Sequence, residues 1–204
     1  MLRGYPGGAP IILTLTCAVS LIGLYAAPQL IGRAVFRPYW FLRRHEYATL
    51  ITSGFVHADL GHLIFNAITF YSFAFALERY IGTASFLALY FAGLVLGNLG
   101  TYFKHRADPN YSTLGASGAI LAVLFASIVY FPNQRLFIIP IPVPIPAPLF
   151  ALGYLAYSYY SARQSRGKIN HDAHIGGALT GLVFVALTDP AAYGNLLTAT
   201  FGRA

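Results

Sequence analysis

The hydrocarbon core of a bilayer is about 30 Å thick and takes about 20 apolar residues to cross as a helix. Six stretches of this chain approach that length with almost no charge inside them. The first uncharged run extends from Gly4 to Gly32. It is too long for a signal-peptide core, and Tyr25-Ala26-Ala27 is a poor cleavage site, so it reads as a retained span over about residues 9–31. The second lies between Glu46 and Glu78, with His57, Asp59, His62 and Asn66 gathered toward its start and Ile68 to Leu77 apolar. The third is Ile81 to Phe103, the fourth Ser112 to Phe131, and the fifth some part of Leu136 to Ala162. The sixth runs from Ala173 to Thr188, where Asp189-Pro190 stops it, and the tail beyond is too short to cross again. Unpaired backbone groups are costly in hydrocarbon, so such spans are helices. The expected fold is all-α, a polytopic bundle of six transmembrane helices forming a single domain over residues 1–204.

Composition agrees, since 57% hydrophobic and 9% charged residues lie far outside the soluble range. The net charge of +7 comes from 13 Lys and Arg against 6 acids, spread through loops without a basic stripe. That pattern speaks against a nucleic-acid partner. Cys17 is the sole cysteine and lies in an apolar run, which excludes a disulfide framework and a cysteine metal site. Between spans four and five, Pro140, Pro142, Pro144, Pro146 and Pro148 recur at every second position, which forbids helix and favours an extended, solvated backbone. Span five then effectively starts near Leu149.

Consecutive spans alternate direction, so the starts of spans two, four and six share one face of the membrane. Those starts carry His57, His62 and Asn66, then Ser117, then His174. Polar groups inside spans are costly and point to function. A serine hydroxyl becomes a nucleophile when a neighbouring neutral imidazole takes its proton, which makes Ser117 and His174 a candidate dyad. Asp172, two residues before His174, points elsewhere on a helix and completes no triad. Gly115 and Gly118 flank the serine and permit a sharp turn with exposed N–H groups at a helix start. His62 and Asn66, four residues apart, share a helical face and suit the role of oxyanion donors. His57 lies off that stripe and is assigned a supporting part. Gly177 and Gly181 form a small-xxx-small motif that lets span six approach span four. Zinc is the competing use for His57, His62, His171 and His174, but no HExxH motif or carboxylate pair accompanies them. Neither a metal nor a cofactor is expected.

These residues resemble the rhomboid family of intramembrane serine proteases over about Glu46 to Thr188. His57-Ala58-Asp59-Leu60-Gly61-His62-Leu63-Ile64-Phe65-Asn66 is similar to the family's second-span signature, Gly115-Ala116-Ser117-Gly118 to its nucleophile motif, and Ala173-His174-Ile175-Gly176-Gly177 to its general-base motif. Glu78 and Gly82 match the loop after span two. The resemblance implies Ser117 as nucleophile, His174 as base, and His62, Asn66 and the Ser117 N–H as oxyanion donors. It also implies single-pass membrane proteins as substrates, cut in or near their transmembrane helix. A catalytically silent rhomboid-like binder of transmembrane segments is the alternative. Two positions depart from the pattern. Ala48-Thr49 stands where many relatives carry Trp-Arg, with Trp40 and Arg43-Arg44 upstream instead. Leu121 stands where many carry an aromatic that stacks on the histidine.

Family topology puts the site on the extracytoplasmic face, and the lack of an Arg- and Ser-rich leader favours a prokaryotic plasma membrane. The positive-inside rule points the other way. The site-face loops hold Arg33, Arg37, Arg43, Arg44, Lys104, Arg106, Arg163, Arg166 and Lys168, against Arg3, Arg79, Arg135 and Arg203 opposite. Family topology is preferred, because the first loop in relatives is a long structured element lying in the interface. Composition and spacing do not indicate an oligomeric state.

Overall fold

The computed structural model describes residues 7–138, 141–164 and 170–202. Gly4 of the first run, Arg3, Arg166, Lys168 and Arg203 of the charge tally, and Pro140 of the proline run lie outside the described residues.

The first apolar run is two helices rather than one. Helix α1 covers Gly8–Tyr25 and α2 covers Pro28–Ala34. Proline has no N–H to give and drives the preceding residue out of helical backbone, and Ala27 sits at φ −142°, ψ 72°. The span expected over 9–31 therefore ends at Tyr25. The chain continues through α2, α3 (Pro38–Arg43), the four-residue α4 (Thr49–Thr52) and a 3₁₀ turn over Ser53–Phe55. Arg43 and Arg44 lie over the rings of Tyr39 and Trp40, at 4.0 and 3.7 Å from the centroids. Trp40 Nε1 donates to the Pro109 carbonyl and Arg43 to that of Arg106. The displaced Trp40 and Arg43 thus anchor this loop to the segment that precedes Ser117.

Asp59 caps α5 (Leu60–Ile81), its carboxyl accepting from the His62 N–H at 2.8 Å. Gly82, at φ +81°, turns the chain directly into α6 (Thr83–His105). Then come α7 (Ser117–Tyr130), α8 (Ala147–Gln164), α9 (His171–Thr188) and α10 (Ala192–Phe201). The fold is all-α and polytopic: α1, α5 and α6 are long and apolar enough to cross a membrane, and α7 is a shorter apolar helix. Every residue of α7 from Gly118 to Val129 is buried, because α5, α6, α9 and α10 all pack on it. Its 14 residues rise about 21 Å, well short of the bilayer core. A helix that short cannot reach both surfaces, so at least one end is recessed.

Small residues decide how closely the central helices approach. A β-carbon added to Gly177 of α9 would fall on the Gly118 carbonyl oxygen of α7, and one on Gly181 would fall on that of Ala122. On the third side, a β-carbon on Gly176 would lie 3.0 Å from the Gly97 Cα of α6. At the far end of α5 the buried Glu78 side chain accepts from the Gly8 and Ala9 N–H groups, both at 2.9 Å. These are among the donors that a helix start leaves without internal partners, so α1 is tied to α5.

From Pro142 to Pro146 the proline run is extended as expected, though paired rather than solvated, whereas Pro148 falls in the first turn of α8, where proline is tolerated. β1 (Arg135–Ile138) and β2 (Ile141–Pro146) form an antiparallel hairpin with Phe137 opposite Pro144 and Arg135 opposite Pro146. Successive N–H groups of a strand point to opposite edges, so prolines at every second position lose donors on the outer edge alone. The intervening edge stays competent, and the Ala147 N–H continues it to the Gln134 carbonyl at 3.0 Å.

Candidate active site

Ser117 is the first residue of α7, and its position follows from the glycine two residues before it. Gly115 has φ +112°, and a β-carbon there would lie 2.8 Å from Cε1 of the His62 ring. Only glycine satisfies both the backbone and the neighbour. The Gly115 N–H donates to the Ser53 carbonyl at 2.8 Å, fixing the turn that delivers Ser117 to the helix start. The N–H groups of that first turn have no partners within the helix, and the dipole there favours negative charge.

His174 lies one turn into α9, whose start is held by Asn170. The Asn170 side chain accepts from the Ala173 N–H at 3.1 Å and is bonded to Thr101 and Thr113. Asp172, beside it, pairs with Lys104 at 2.9 Å, and Lys104 also donates to the Ala162 carbonyl. The aspartate is therefore engaged away from His174.

The structure brings Ser117 Oγ and His174 Nε2 to 2.8 Å, across 57 residues of sequence. The other ring nitrogen, Nδ1, is 2.9 Å from Tyr154 Oη of α8, and the two rings lie 6.4 Å apart at 27°. Sequence reasoning missed Tyr154. The missing aromatic at Leu121 is supplied from another helix, and nothing in the spacing of Tyr154, Tyr157, Tyr159 and Tyr160 marks which of them reaches His174.

The remaining candidates divide. His62 packs against Gly115, next to the serine turn. Asn66 is buried, with its amide donating to the His62 carbonyl of its own helix at 3.0 Å. Gly118 provides the carbonyl on which Gly177 closes. His57 is fully buried, its Nδ1 2.9 Å from Ser20 Oγ of α1 and its ring 4.9 Å from that of His62. Since Ser20 Oγ also reaches the Phe55 carbonyl at 3.0 Å, His57 joins α1 to the loop that leads into α5, the helix of His62. Behind the serine is a small polar cavity lined by Ser53, Asn98, Thr113, Asn170 and Ser117, of about 10 Å³, room for about one water molecule. The four histidines weighed as zinc ligands do not converge. Among the described residues no three His, Cys, Asp or Glu side chains are grouped to hold an ion.

Residues 44–190 match the Rhomboid domain family. The chain is 41% identical over 91 residues to "Putative rhomboid protease YdcA" of Bacillus subtilis (strain 168), covering 44% of this chain and 45% of that protein. It is 33% identical over 156 residues to RHOMBOID-like protein 12, mitochondrial, of Arabidopsis thaliana, covering 66% and 44%. With Rhomboid protein 1, mitochondrial, of Saccharomyces cerevisiae the identity is 27% over 175 residues, covering 81% and 49%. The chain thus spans less than half the length of each of these relatives. With the domain match taking in Ser117, His174 and the helices that join them, this integral membrane protein belongs to the rhomboid family.

Proposed function

We propose that the chain is a serine endopeptidase working within the membrane, with Ser117 as nucleophile and His174 as general base. The single observation that carries this reading is the 2.8 Å contact between Ser117 Oγ and His174 Nε2. That is hydrogen-bond reach for the proton to be moved. As Ser117 Oγ bonds to the scissile carbonyl carbon, its proton passes to His174 Nε2. The same imidazolium then protonates the leaving amine, and water in turn releases the acyl group. Charge developing on the carbonyl oxygen meets the N–H groups of the α7 start together with His62 and Asn66, each such donor being worth about 10²–10³ in rate. Asn66 keeps a second amide N–H for this role beside the one given to the His62 carbonyl.

The substrates in this reading are single-pass membrane proteins, which reach the start of α7 through the lipid bilayer. The site opens to the extracytoplasmic face of a prokaryotic plasma membrane. The test is purified protein treated with a fluorophosphonate probe and, in parallel, with a transmembrane substrate, beside Ser117→Ala and His174→Ala. Labelling and cleavage that vanish in both variants support the proposal. Cleavage that persists in Ser117→Ala refutes it, and substrate binding without cleavage in the parent protein identifies a silent binder.

A further inference from the structure

A dyad without a carboxylate leaves one question open: what fixes the tautomer of its histidine. Nε2 accepts the serine proton only when the ring proton resides on Nδ1. Among the described residues, Nδ1 has one hydrogen-bond partner, Tyr154 Oη at 2.9 Å. A phenol both donates and accepts, so this contact has two readings. In one, Nδ1–H donates to Oη and Nε2 is free to act as base. In the other, the phenol O–H donates to Nδ1, the ring proton shifts to Nε2, and the serine cannot be deprotonated.

The reaction itself selects between them: once His174 holds the serine proton, both ring nitrogens carry hydrogen and Nδ1–H can only donate, which makes Tyr154 Oη the acceptor within reach.

We infer that Tyr154 is a positioning residue that holds His174 in its productive tautomer, Oη accepting from Nδ1–H. This rests on the proteolytic reading above. During acylation the proton from Ser117 goes to Nε2, and the resulting imidazolium keeps its Nδ1 proton while Oη stabilises it; the tyrosine remains neutral throughout. The other groups facing His174 are His171 on its own helix, with ring centroids 5.8 Å apart, and His62 of α5. Neither is an anion that would replace the phenol oxygen.

Fluorophosphonate labelling rates across pH, with kcat and KM for a transmembrane substrate, test the inference in the parent protein and Tyr154→Phe. Tyr154→Phe retains the stacked ring and loses only the acceptor. It is expected to slow labelling and kcat on the order of 10–100-fold, leave KM and the melting temperature near those of the parent, and move the acid limb of the pH profile to lower pH. Tyr154→Phe labelling at the parent's rate overturns the inference. So does a rate loss that comes with raised KM, a lowered melting temperature and an unmoved pH limb, since packing alone produces that. A parent protein that takes no probe overturns the proteolytic reading itself, and this inference with it.

Discussion

Gly177→Ala tests the link between helix packing and chemistry most directly. Gly177 lies one turn after His174, and its added methyl would overlap the Gly118 carbonyl oxygen, next to Ser117. That oxygen is backbone inside a fully buried helix, so it cannot turn aside as a side chain would. Ordinary contact is restored only if α9 and α7 separate locally by about 1 Å. The Ser117–His174 contact, at 2.8 Å, would then open past the range in which a proton passes directly. Overpacking of this kind costs about 1–3 kcal/mol, and a misplacement of about 1 Å at reacting groups costs about 10²-fold in rate. Gly153→Ala of α8 is the control, because a β-carbon there meets nothing within 4 Å. The assay is kcat for a transmembrane substrate and the labelling rate of Ser117, with melting temperature in the same detergent. Gly177→Ala should lose about 10²-fold in both rates and melt lower, while Gly153→Ala stays near the parent. Equal labelling in Gly177→Ala and the parent would refute the claim that backbone contact between α7 and α9 sets the dyad distance.

Other outcomes follow from single contacts. Glu78→Ala leaves the Gly8 and Ala9 N–H groups without their buried acceptor, and at roughly 1.5–3 kcal/mol per hydrogen bond to a carboxylate the variant should melt markedly lower and expose α1 to limited proteolysis. His62→Ala and Asn66→Ala should each lower kcat about 10²-fold with little change in melting temperature; unchanged kcat in either removes that residue from the oxyanion role. His57, in the loop before α5, is held down to about 4, first by burial and then by the His62 ring, against the opposing pull of Asp59. The folded protein then binds fewer protons than the unfolded chain between the ordinary histidine value and about pH 4. Stability is accordingly present above about pH 6.5 and lost as the pH falls toward 4, and the fall in melting temperature over that window should be smaller in His57→Asn.

Much of the architecture was legible in the residues because hydrocarbon leaves a chain few options. The helices α5, α6, α7 and α9 lie where apolar runs end at Glu78, Phe103, Phe131 and Asp189-Pro190, within a few residues. Pro28 was just as visible, but the apolarity of the residues around it concealed that it divides one helix from the next. The hairpin was half legible: alternating prolines exclude helix, yet whether an extended segment is solvated or paired depends on what lies opposite, here Arg135 to Phe137. At the site, parity alone placed Ser117 and His174 at one end of the bundle.

Residue type and order therefore determined that this chain spans a membrane as helices, that Ser117 and His174 share a face, and that glycines stand where α7 and α9 would meet. These are properties of single segments, set by the cost of polar backbone and charge in hydrocarbon. Only the tertiary structure decided which tyrosine reaches His174, that Asp172 turns to Lys104, that His57 bonds to α1, and that the Asn66 amide is held by its own helix. Each of those depends on the rotation of one helix about its axis relative to another. That angle is set by how the side chains of both helices fit together, which the pattern of a single segment does not encode.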